Sequence, residues 1–167
     1  MHPMQVVGVR VELPGNQPVL LLRESDGPRY LPIWIGPVEA SAIAFQQQGV
    51  QVVRPLTHDL LKDMLTALGL NLTAVHITEM RDDIYYAELR LSNGVAVSAR
   101  PSDAIALALR ADAPILTSDA VMDTAGVELD DPEDPENTES DGTPLSDEDL
   151  ERFREFLDHI SPEDFGS

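Results

Sequence analysis

The chain contains no cysteine. Disulfides, thiolate zinc sites and cysteine nucleophiles are therefore excluded. Basic residues are few: 11 Lys and Arg stand against 30 Asp and Glu, a net charge of -19. The imbalance is uneven. Residues 1–127 hold 14 acids and 9 Lys or Arg, a net of -5, whereas residues 128–167 hold 16 acids and 2 Arg, a net of -14. Such a balance opposes tight nucleic-acid binding, because phosphates need Lys or Arg partners, although a local arginine cluster can still act. No apolar run approaches the ~18 residues of a membrane span, and no basic-then-apolar leader opens the sequence. A cytoplasmic protein without membrane contacts is the expectation. Residues 1–127 also lack an Asp-x-Asp pair, a His-x-x-x-His pair and a Gly-rich phosphate loop.

What is present is enough for one domain with a core: 167 residues, 43% of them hydrophobic. Residues 5–13, "QVVGVRVEL", alternate, with Val7, Val9, Val11 and Leu13 on one face of a half-buried strand. "VLLLRES" and "RYLPIWI" follow as strands. "GPVEASAIAFQQQG" reads as a helix, with Gly36 as cap, Pro37 in the first turn, Glu39 at the positive end and Gly49 as terminator. "THDLLKDMLTALG" reads as a second helix with an apolar stripe of Leu60, Leu61, Met64, Leu65 and Leu68. "LTAVHITEM", "IYYAELRL" and "VAVSA" form a strand meander with a hairpin signal at "SNG". A third helix covers 102–111, a short strand lies in "APILTS", and "DAVMDTAG" closes as a short helix.

This order predicts an α+β fold: a mixed, largely antiparallel sheet packed with three or four helices. Residues 128–145 are acidic and proline-bearing and read as a disordered linker. Residues 146–165 predict one amphipathic helix, capped by Ser146 and Asp149, with an apolar stripe of Leu150, Phe153, Phe156, Leu157 and Ile160. The domain itself is expected at 1–127.

Two helix entrances share a phrase: Arg54-Pro55-Leu56-Thr57-His58-Asp59 and Arg100-Pro101-Ser102-Asp103. Thr57 and Ser102 suit N-caps, the Asp residues suit the helix dipole, and proline holds the preceding arginine extended. Capping leaves an arginine at both sites unexplained. The two entrances are expected to meet in space, with Asp59 and Asp103 as partners for Arg54 and Arg100.

"LPIWIGPVEASAIA", "RPLTHDLL" and "ARPSDAIALALRADAPI", in this order and spacing, resemble the bifunctional nuclease (BFN) domain family, also called DUF151, over roughly residues 4–127. The family phrase often reads Asp-Ala-Arg-Pro-Ser-Asp-Ala; here Ser98 stands at its first position. The resemblance implies an α+β fold, a homo-oligomer of two or more copies, and hydrolysis of DNA and RNA. Phosphodiester hydrolysis needs an activated water, charge stabilisation at phosphate and usually a divalent metal. His58, Asp59, Asp103 and Glu39 are the catalytic candidates, His58 as a base. Arg54 and Arg100, with Thr57 and Ser102, are the substrate-binding candidates. Asp59 and Asp103 are the candidate ligands of Mg²⁺ or Mn²⁺. Each has a plainer reading as a cap, a first-turn charge or an ion-pair strut, and Trp34 reads as a core or interface residue. The rival is a non-enzymatic oligomeric interaction module. Convergence of Glu39, His58, Asp59 and Asp103 in one exposed cleft would favour the enzyme; buried pairing with Arg54 and Arg100 would favour the rival.

Overall fold

A computed structural model describes residues 1–128. The expected helix at 146–165, and all of the expected linker but Glu128, lie outside the described residues. Eight strands form one sheet: β1 (His2–Glu12), β2 (Gln17–Glu24), β3 (Arg29–Trp34), β4 (Leu72–Arg81), β5 (Ile84–Leu91), β6 (Ala96–Ala99), β7 (Ile115–Thr117) and β8 (Val127–Glu128). Their order is β6-β5-β4-β7-β1-β2-β3-β8. Only β4 and β7 pair in parallel; the other neighbours are antiparallel. Four helices complete the described part: α1 (Pro37–Gln47), α2 (Thr57–Ala67), α3 (Pro101–Ala111) and α4 (Asp119–Ala125). The α+β reading holds, with a sheet that is mixed and mostly antiparallel. None of these helices is long and apolar enough to cross a membrane.

The core explains the composition of "DAIALALR". Ala104, Ile105, Ala106, Leu107 and Ala108 of α3 are all buried, so this helix is surrounded. It packs on α1, α2, β4 and β5. Alanine at three of those positions lets the neighbours approach closely, while Ile105 and Leu107 join the core cluster that also holds Val75 and Ile77 of β4. Truncating such a buried Leu or Ile to Ala typically costs about 2–5 kcal/mol.

Three sequence expectations change here. In β1, Val7 and Leu13 are exposed, and Met4, Val6 and Val9 face the core instead. The register against β2 shifts between Val6 and Gly8, so one extra residue flips the alternation; Leu13 lies beyond the strand. The N-caps of α2 and α3 are Leu56 and Arg100, not Thr57 and Ser102. Each helix therefore begins one or two residues early, with Pro101 itself in the first turn. The α2 stripe does not enter the core: Leu60, Leu61, Met64 and Leu68 are exposed, and only Leu65 packs inward.

The sheet also curls. The Tyr85 hydroxyl on β5 donates to the Pro32 carbonyl on β3 at 3.1 Å, although five positions separate these strands in the sheet order. This closure brings the end of β3, the β4–β5 turn and the start of α3 to one rim.

Candidate active site

The starts of α1, α2 and α3 converge on one arginine and one aspartate. The Arg100 Nε donates to Asp103 Oδ2 at 2.7 Å, and its Nη2 donates to Glu39 Oε1 at 2.7 Å. The other Asp103 oxygen, Oδ1, lies 3.0 Å from His58 Nε2. One turn of backbone places each group. Proline at the first position of α1 and α3 sets the helix start, and Glu39 and Asp103 both lie two residues further on. A Cβ at Gly36 would displace the Glu39 carboxylate, which is folded back over the helix end.

Burial separates the roles. The Arg100 side chain is 66% exposed, and its Nη1 enters none of the described contacts. Asp103 is 32% exposed, whereas Glu39 is 15% exposed and His58 is buried. Solvent-facing ion pairs contribute only about 0–1 kcal/mol. Stability therefore does not account for an exposed arginine held between two carboxylates. The network fixes the guanidinium plane while leaving one edge free for an anion.

Burial pushes the Asp103 carboxyl up, but hydrogen bonds from Arg100 and His58 outweigh it and hold the group below its ordinary value. Asp103 is thus an acceptor, so His58 Nε2 donates; in a neutral ring Nδ1 is then the accepting nitrogen. Asp103 in turn raises Arg100, chiefly through their hydrogen bond.

Asp59 belongs to a second cluster. Its Oδ1 accepts from Arg110 Nε at 2.6 Å and its Oδ2 from the Leu56 backbone N–H at 2.9 Å. Burial raises this carboxyl too, and the Leu56 and Arg110 hydrogen bonds bring it below its ordinary value. Arg110, rather than Arg54, is the partner of Asp59. Arg54 is exposed and makes no ion pair among the described residues. The two entrances do meet, through His58 and Asp103 and not through both arginines. Ser102 is buried in the first turn of α3, and Thr57 is exposed at the start of α2.

Asp59 and Asp103 are drawn into separate ion pairs, with Arg110 and Arg100, and are not gathered into one set of Mg²⁺ or Mn²⁺ ligands. Both oxygens of each accept from a cation, an imidazole or a backbone N–H. Among the described residues, no three His, Asp or Glu side chains stand together as a metal-holding group.

Arg110 is the residue that sequence reasoning missed. Its signal was available: a charge within the apolar "ALALRA" cannot be buried unpaired. Of the two readings of Trp34, core or interface, the core one fails, because half of the residue is exposed.

The depressed Asp59 carries a pH prediction. A carboxyl whose folded pKa lies below its unfolded value adds stability above the ordinary 3.8, and loses it as pH falls through the folded value. Asp59→Asn is expected to destabilise the protein most at about pH 7 and progressively less towards about pH 3. Urea denaturation at both pH values checks this; a constant difference would contradict it.

A family model for the bifunctional nuclease domain matches residues 20–130. A Mycobacterium tuberculosis protein described as uncharacterized is 51% identical over 165 residues, 99% of this chain and 98% of its own length. Bifunctional nuclease 2 of Arabidopsis thaliana is 32% identical over 112 residues, 62% of this chain and 34% of that protein. Bifunctional nuclease 1 of Oryza sativa subsp. indica is 26% identical over 117 residues, 66% of this chain and 35% of that protein. The match spans about a third of each of these two plant nucleases.

Proposed function

This chain belongs to the bifunctional nuclease domain family, and from that premise we propose that it hydrolyses phosphodiester bonds of DNA and RNA at the Arg100–Asp103 cluster. The observation that carries the reading is the exposed Arg100 held by Glu39 and Asp103 with its Nη1 free. Nη1 holds a non-bridging phosphate oxygen, where negative charge builds as water attacks. The Asp103 carboxylate orients that water and accepts its proton. A P–O bond forms to the water oxygen as the bond to the leaving sugar oxygen breaks, and that oxygen takes a proton from solvent. His58 is buried and bonded to Asp103, so it positions the carboxylate and is not itself the base. Glu39 positions Arg100.

Cleavage of single-stranded DNA, double-stranded DNA and RNA by the full-length protein tests the reading. Arms with Mg²⁺, Mn²⁺ and EDTA test the metal dependence that the family resemblance implies. No cleavage in any arm would end the nuclease reading and leave the second one, an oligomeric interaction module. That rival draws on the α2 stripe.

The same stripe supports self-association, at least to a dimer. Leu60, Leu61, Met64 and Leu68 recur along one face of α2 and are exposed, an apolar surface suited to a second copy of the chain. Light scattering is expected to give at least twice the 18.3 kDa of one chain. The double change Leu61→Glu, Met64→Glu is expected to return the mass to that of one chain. A wild-type mass of 18.3 kDa at micromolar concentration would refute self-association.

A further inference from the structure

Adjoining the hydrolytic cluster, and sharing Arg100 with it, lies a cleft whose other walls the proposed reaction does not use. Its volume is about 610 Å³, within the range of small-molecule sites. It opens where the sheet closes on itself, between the β1–β2 turn, the end of β3, the β4–β5 turn and the start of α3. Trp34, Ile84 and Tyr85 give it apolar and aromatic lining, Asn16 and Gln17 line it too, and Arg100 and Ser102 border the side shared with the cluster.

The two aromatic side chains are held, not loose. The Trp34 indole N–H donates to Glu12 at 3.3 Å, yet half of the residue stays exposed. The Tyr85 hydroxyl donates to the Pro32 carbonyl, which limits the movement of its ring. The result is a tethered, half-exposed indole lining a cleft. It is suited to stacking on a flat aromatic ligand. Neighbouring Asn16 and Gln17 amides each offer both donors and an acceptor, the set that reads the edge of a nucleobase. Asp83 on the β4–β5 turn repels phosphate, so the arginine side is where an anionic group would lie.

Taken with the nuclease reading, on which this rests, we infer that the cleft takes one unpaired base of a single-stranded nucleic acid, stacked on Trp34, with its adjoining phosphate on Arg100. A base within a duplex is paired along its edge and covered on both faces, so it does not enter. The site would select single strands by excluding stacked bases, without reading sequence.

Trp34 is the sole tryptophan of the chain, so its emission reports the cleft directly. The full-length protein is titrated at low salt with a phosphorothioate oligothymidylate, which resists cleavage, with its duplex, and with inorganic phosphate. The single strand is expected to quench Trp34 emission, while duplex and phosphate leave it unchanged. By fluorescence anisotropy of a labelled strand, Trp34→Ala is expected to weaken binding about 5- to 150-fold, and Trp34→Phe to restore most of it. Circular dichroism verifies that both variants fold. Equal binding of duplex, absence of single-strand binding, binding without quenching, or unchanged affinity in folded Trp34→Ala would each overturn the inference. Cleavage that proceeds without quenching removes the subsite alone. Quenching without cleavage upholds the subsite and removes the nuclease reading.

Discussion

Arg110→Ala is expected to destabilise the protein by about 3–5 kcal/mol, a large share of the 5–15 kcal/mol that a domain usually has. The Arg110 side chain is 4% exposed and joins three helices. Its Nε donates to Asp59 on α2, its Nη1 to the Ala106 carbonyl on α3 at 2.8 Å, and its Nη2 to the Ala42 carbonyl on α1 at 2.9 Å. Removing it strips Asp59 of its cation and opens a cavity in the helix seam. Breaking one partner of a buried pair leaves an uncompensated charge, which is why the effect exceeds the net worth of the pair. The double variant Arg110→Met, Asp59→Asn is expected to lose clearly less than the two single changes added together, because neither charge is then orphaned. Urea denaturation followed by circular dichroism measures all three. A loss below about 0.5 kcal/mol in Arg110→Ala, the range of ordinary surface changes, would show that the helices do not depend on this residue.

The strands and helices were legible because periodicity marks them: α3 has apolar or small residues all round and is buried all round. What the sequence could not show was which element covers which face. The α2 stripe has the spacing of a core helix, but amphipathicity does not say whether the apolar side meets the sheet or another chain. Val7 was misplaced because a bulge leaves no period-two signature. At the site, residue types at helix starts located Glu39, His58, Asp103 and Arg100 correctly as a group. The pairing of Asp59 with Arg110 and the separation of Arg54 were invisible, since partner choice depends on how α2 and α3 are rotated against each other. The cleft beside Arg100 was hidden for a similar reason. It is formed by the curl of the sheet, which joins strands far apart in sequence.

The largest expected effect on activity comes from Arg100. In the proposed reaction Nη1 holds the phosphate, so the guanidinium meets charge that grows in the transition state, and removing one such donor typically costs about 10²–10³ in kcat. Arg100→Ala is expected to fall in that range, with little loss of stability because its ion pairs are exposed. Arg100→Lys is not expected to rescue it. A lysine ammonium cannot span Glu39 and Asp103 while keeping a separate donor edge aimed at phosphate. Asp103→Asn keeps the shape but loses the proton acceptor, and a fall of about 10² is expected, at the lower end for a general base. Asp103 belongs there because its depressed pKa keeps it ionised yet weakly basic at neutral pH. Steady-state cleavage of labelled DNA and RNA by each variant, beside its urea midpoint, separates chemistry from folding. Full activity in a folded Arg100→Ala protein would place the phosphodiester chemistry away from this cluster.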